Sequence, residues 1–139
     1  MTAIDTNILI YACDRSDPYR QQTAIDLVTN YSDGVLLWQV ACEFVAASRK
    51  LGALGFTPLD AWKRLTEFLD VLHLVLPNAG MLQRARDLHL SHSVSFWDAM
   101  ILAACVEAGV HTLYSEDVPG LNLLSGLRVI NPFEKTGSA

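Results

Sequence analysis

The sequence predicts a three-layer α/β/α fold, with a central parallel sheet of four or five short strands between two layers of helices. Short, continuously apolar runs alternate along the chain with longer amphipathic stretches. That is the pattern of βα units whose strands are buried on both faces. The 139 residues suit one domain. With 51% hydrophobic and only 18% charged residues, the chain has the material for a sizeable core and is not a disordered one. The apolar surplus also points to a covered partner surface.

Ala3 and Ile4 form the first short strand, and Asp5-Thr6-Asn7 hands it over to a helix through Ile8–Ala12. Asp14 to Pro18 ends that segment, and Tyr19 to Asn30 is helical in character. Asp33-Gly34 is a turn, followed by the apolar run Val35 to Trp38, suited to a buried strand. Gln39 to Leu51 continues as an Ala-rich helix that breaks at Gly52 to Gly55. Thr57-Pro58 supplies an N-cap and a first-turn proline for a helix to about Val71. Leu72 to Leu76 reads as a strand ended by Pro77, and Ala79 to Leu90 as a helix bounded by Ser91-His92-Ser93. Ser95 opens the next helix with a Ser-x-x-Asp pattern to Asp98, and Gly109 is placed to cap its end. Thr112 to Tyr114 and Arg128 to Ile130 are the last strands, joined by a long connection containing Pro119 and Gly120.

Ten Lys and Arg against fifteen Asp and Glu give a formal charge of −5. That balance excludes a protein that wraps nucleic acid electrostatically, so any contact with it is local. The longest apolar run, Ala99 to Val106, falls well short of the ~20 residues that span a bilayer. No basic region precedes the first apolar stretch, and Asp5 interrupts it, so it does not read as a signal peptide and a cytoplasmic location is expected. Cys13, Cys42 and Cys105 are odd in number and set among apolar neighbours, which suits reduced core thiols. No phosphate-binding glycine loop or nucleophile-elbow serine occurs. His89 and His92, three apart, lack the Glu of a zinc-hydrolase helix and read as a surface pair.

In a parallel sheet, ligands bind along the edge where strands end and helices begin. Asp5 closes the first strand, Glu43 lies in the opening turns of the helix after the second, Asp98 is in the first turn of the Ser95 helix, and Asp117 follows the Tyr114 strand. All four acids therefore belong at one edge. Clustered carboxylates resist ionising together unless a divalent cation offsets their charge. Hard oxygen donors without His or Cys favour Mg²⁺ or Mn²⁺, and such a cation suits phosphodiester hydrolysis. Each acid has a plainer reading too. Asp5 fits an N-cap, Asp98 a capping box, Asp117 a turn, and Glu43 a solvated stripe with Gln39, Ala46 and Lys50. What favours a site is that Asp5 and Asp98 sit inside apolar runs, where a lone charge is expensive to bury.

On these residues the chain resembles the PIN domains, and within them the VapC-type ribonuclease toxins of toxin-antitoxin pairs. The matching pieces are Asp5-Thr6-Asn7-Ile8-Leu9, Glu43, Ser95-Phe96-Trp97-Asp98-Ala99 and Ser115-Glu116-Asp117, in order and spacing. The resemblance implies a PIN domain over residues 1–133 with a short tail over 134–139. It also implies a Mg²⁺- or Mn²⁺-dependent endoribonuclease in which Asp5, Glu43, Asp98 and Asp117 hold the metal and activate water, with Thr6, Asn7 and Ser95 in support. Val118-Pro119-Gly120 departs from the loop relatives often carry there, and Glu116 is a second acid placed to assist or replace Asp117. Implied partners are an RNA substrate, a cognate antitoxin and a second copy of the chain. Arg15, Arg20, Arg49 and Lys50 are candidates for a local phosphate-binding rim. Leu59, Trp62, Leu65, Phe68, Leu69 and Leu72 follow helical spacing and read as core, part of which the resemblance would make a groove for an antitoxin helix.

Two other classes compete. A phosphoryl-transfer domain wants an Asp two residues beyond Asp5, where Asn7 stands, and a lysine near the last strand, whereas none lies between Lys63 and Lys135. A non-catalytic PIN-like module for binding RNA or protein would leave the four acids vestigial.

Overall fold

A computed structural model describes residues 1–121, 124 and 126–134. Five parallel strands, β1 (Thr2–Ile4), β2 (Gly34–Leu37), β3 (His73–Val75), β4 (Thr112–Tyr114) and β5 (Arg128–Ile130), form one sheet in the order β3-β2-β1-β4-β5. The helices are α1 (Thr6–Ala12), α2 (Pro18–Asn30), α3 (Trp38–Ala47), α4 (Pro58–Val71), α5 (Ala79–His92) and α6 (Phe96–Ala108). α1, α2, α3 and α4 pack on one another and α5 packs on α6, which gives the two helical layers of the expected fold. Every residue of β1 and β2 is buried, as central strands covered on both faces require. Phe44, Ile4, Ile8, Leu9, Leu36 and Leu102 are among the fully buried side chains of a single core.

Local chemistry sets the helix ends. Thr57 and Asp60 make the two reciprocal bonds of a capping box, with Pro58 in the first turn. Ser95 Oγ accepts from the backbone N–H of Asp98 at the start of α6. Gly109, at φ 76°, takes the left-handed position that ends that helix. At Gly34 a Cβ would lie 2.7 Å from Leu72 Cδ2, so any larger residue there would make the buried Leu72 side chain shift.

Several expectations need correcting. The helix expected to reach Leu51 ends at Ala47, and a 3-10 helix follows over Ser48–Leu54. Ser48 Oγ donates to the Val45 carbonyl, and such a local bond competes with the α-helical ladder at its own turn. Trp38, expected in the second strand, opens α3 instead and is 47% exposed. Cys105 is a core thiol, pushed up to about 12 by burial, but Cys42 is exposed. Along α4, Leu65 and Phe68 are buried, with Leu72 just beyond, whereas Leu59, Trp62 and Leu69 face out. A stripe of period 3.6 that is wider than its core contact leaves its margin exposed. Residues 135–139 of the expected tail, and Ser125, lie outside the described residues. Among those described, no helix is long and apolar enough to cross a membrane.

Candidate active site

β1 lies between β2 and β4. The chain leaves β1 toward β2 on one side and returns to β4 on the other, so the carboxyl end of β1 is the switch point where open α/β sheets bind ligands. Asp5 stands there. It N-caps α1, its Oδ1 accepting from Thr6 N at 2.7 Å, and its Oδ2 accepts from Ser115 Oγ at 2.7 Å. The side chain is 7% exposed. Burial pushes its carboxyl above the ordinary value, against the two hydrogen bonds, and the charges of Glu43 and Asp98 push the same way. Asp5, Glu43 and Asp98, from three elements, thus share one electrostatic neighbourhood.

The expected supporting residues connect this group. Thr6 Oγ1 donates to Glu43 Oε2 at 3.2 Å, tying α1 to α3. Gln39 donates to Glu43 Oε1 and, at 3.2 Å, to the Trp97 carbonyl, which ties α3 to the first turn of α6 beside Asp98. Asn7 donates to the carboxylate of Asp117, and Ser115 Oγ accepts from Asp117 N at 3.3 Å and Val118 N at 3.0 Å. Asp117 is therefore joined to Asp5 through Ser115, at the exposed rim of the site. Ser95 holds the backbone of Asp98 but, unlike the Thr57–Asp60 pair, it does not close a capping box with the acid. The capping-box reading of Asp98 fails on that difference, whereas Asp5 is both an N-cap and part of the cluster.

Sequence reasoning missed two members, Gln39 and Tyr11, and quoted Ser115 without giving it a part. Tyr11 Oη donates to Glu116 Oε1 at 2.8 Å. Only a polar residue one helical turn before Glu43 hinted at Gln39. A cleft of about 560 Å³ adjoins the acids, lined by Asn7, Tyr11, Ser16, Lys50, Glu116 and Asp117 among others. Of the expected basic rim, Lys50 lines this cleft, Arg49 is exposed, and Arg15 Nη2 donates to the Leu54 carbonyl at 2.6 Å. Arg20 leaves the rim, because it is engaged by Asp17 and Glu116. His89 and His92 are exposed, with His89 Nδ1 2.8 Å from the Val94 carbonyl oxygen.

Among the described residues, no three His, Cys, Asp or Glu side chains are already arranged to hold a metal ion. Asp5, Glu43 and Asp117 each accept from donors of the chain itself. The donor set is nonetheless all oxygen, which suits a hard divalent cation. The buried and mutually repelling Asp5 group is a place where such a cation would relieve strain.

No curated protein matches the sequence. By structure, the chain is similar to VapC20 of Mycobacterium tuberculosis, a toxin that cleaves the sarcin-ricin loop. The TM-score is 0.69 at 20% identity, over 84% of this chain and 90% of that one. By sequence, residues 2–118 match the model of the PIN domain, a span that contains all four acids, and the chain belongs to that family.

Proposed function

We propose that this protein is a divalent-metal-dependent endoribonuclease and the toxin of a toxin-antitoxin pair. The observation that carries the proposal is the buried carboxyl of Asp5 at the switch point of the sheet, raised by burial and by the neighbouring charges of Glu43 and Asp98. Such a group is poorly placed as a mere cap and well placed to share a cation with its neighbours. Asp5, Glu43, Asp98 and Asp117 would hold Mg²⁺ or Mn²⁺. When bound, the cation supplies positive charge against the phosphate oxygens and lowers the pKa of water. The hydrolysis adds water across one phosphodiester: a P–O bond forms to the water oxygen, the bond to the leaving sugar oxygen breaks, and a proton passes to that oxygen. Thr6 and Asn7 hold Glu43 and Asp117 in place, and closing on a shared cation would exchange part of these bonds for metal contacts. Lys50, on the wall of the adjoining cleft, is placed to meet a neighbouring phosphate of the RNA.

The partners follow from the surface. Trp62, Leu65 and Leu69 of α4 line an apolar groove of about 370 Å³ with Trp38, Ala41 and Cys42 of α3, a shape that takes the apolar face of a helix. We assign it to an antitoxin helix. The remaining apolar exposure supports a homodimer, and a toxin acting on cellular RNA works in the cytoplasm.

The reading is tested with the purified chain and a broad set of RNAs. Cleavage should occur with Mg²⁺ or Mn²⁺ and stop on chelation, and no cleavage under any of these conditions would overturn it. A non-catalytic PIN-like module is favoured by one observation, that three of the four acids, Asp5, Glu43 and Asp117, already accept from the chain's own donors. Isothermal titration separates the two, since a vestigial site takes up Mn²⁺ weakly or not at all.

A further inference from the structure

The loop after β4 carries two adjacent acids, Glu116 and Asp117, and their surroundings differ. Asp117 is exposed at the site and bonded by Asn7. Glu116 is held from both sides, with Tyr11 Oη donating to Oε1 at 2.8 Å and Arg20 Nε lying 3.7 Å from Oε2. Arg20 is itself confined. Its guanidinium carbon lies 5.5 Å from the centre of the Tyr11 ring and 5.4 Å from that of Phe133. Those two rings meet edge to face at 5.0 Å, and Arg20 Nη1 donates to Asp17 Oδ2 at 3.1 Å. A guanidinium set against aromatic faces and paired with two carboxylates has little freedom left to reach substrate.

We infer that Tyr11, Arg20 and Glu116 form a clasp of positioning residues that fixes the loop carrying Asp117, and that Glu116 is not itself a metal ligand. The clasp joins α1, α2, the loop after β4 and, through Phe133, the segment after β5. It acts on Asp117 in two ways. It restrains the backbone next to Asp117, and by pairing Glu116 with Arg20 it leaves Asp117 as the one acid of the loop offered to the site. The inference rests on the ribonuclease reading and specifies how that site is built, in the manner of groups that orient metal-binding side chains through a second contact.

Mn²⁺ binding by electron paramagnetic resonance, read beside RNA cleavage, tests it on the whole chain in five forms: wild type, Tyr11→Phe, Glu116→Gln, their double variant and Asp117→Asn. Tyr11→Phe keeps the ring against Arg20 and Phe133, so folding is retained, and melting confirms it. Expected is a loss of Mn²⁺ affinity of roughly 10-fold in Tyr11→Phe and in Glu116→Gln. Their double variant should be no weaker than the worse single one, because one clasp is broken once. Added Mn²⁺ should restore cleavage to both but not to Asp117→Asn. Two results would overturn the clasp: unchanged Mn²⁺ affinity in both clasp variants, or a Glu116→Gln that matches Asp117→Asn while Tyr11→Phe behaves as wild type, which would make Glu116 a ligand. A wild type that binds no Mn²⁺ and cuts no RNA would instead remove the ribonuclease reading, and the clasp with it.

Discussion

Asp5 ionises against opposition. Burial raises its carboxyl above the ordinary value of 3.8, the bonds from Ser115 and Thr6 pull it down, and the charges of Glu43 and Asp98 raise it again, for a net upward shift. A group with a raised folded-state pKa contributes its stability below the ordinary carboxylate range and loses it as pH rises through the raised value. Without metal, the wild type should therefore lose stability relative to Asp5→Asn as pH climbs from about 3.8 toward neutrality. Melting both proteins in chelator across that range checks this, and parallel curves would contradict it. A single residue in an apolar stretch was enough to flag Asp5, because burying a lone charge carries a recognisable cost. Arg20 left no such trace. Its partners Tyr11, Glu116 and Phe133 are brought together only by folding, and on its own an arginine between polar neighbours looks like solvated surface.

At the level of elements, the same Ser/Thr-x-x-Asp pattern is used in two ways. Asp60 accepts from the backbone and the hydroxyl of Thr57, and these bonds hold its carboxyl below the usual range. At α6 the hydroxyl of Ser95 holds the backbone of Asp98 without the reciprocal bond. Thr57→Ala should cost about 1 kcal/mol of stability and leave cleavage at the wild-type rate. Urea denaturation with a cleavage assay measures both, and a lost activity would mean that α4 is coupled to the acids. Caps, turns and short apolar runs are local signals, which is why the strands and most helix bounds could be read directly. The 3-10 helix at Ser48–Leu54 was not legible, since Arg49, Lys50 and Leu51 keep a helical composition up to Gly52 while one hydroxyl engages the turn at its start. Trp38 was misplaced for a related reason. An apolar residue at a strand end looks the same whether it continues the strand or opens the next helix.

For the whole molecule, the sheet order converts sequence separation into proximity. Asp5 and Ser115 meet because β1 pairs with β4 in register Ile4 to Tyr114, and Glu43 arrives from the helix that follows β2 on the opposite side. The sequence could place each acid at the edge, but neither the strand order nor the links through Gln39 and Ser115. Trp38, Trp62, Leu69 and Trp97 remain exposed on the chain alone, and a surface this apolar is expected to find a partner. Sedimentation should show self-association that weakens in Trp97→Ser, outside the α3–α4 groove, and a monodisperse wild-type monomer at high concentration would contradict that expectation. The central claim is that acids from separate elements act as one metal-dependent nuclease site, and Asp98→Asn addresses it most directly. Asparagine keeps the size of the side chain and loses its charge, while the Ser95 bond to the backbone is untouched. The measurement is RNA cleavage in Mg²⁺ paired with melting of the metal-free proteins. The account predicts that cleavage collapses while metal-free stability is held or raised, because one source of carboxylate repulsion is gone. An Asp98→Asn protein that cuts RNA at the wild-type rate would contradict it.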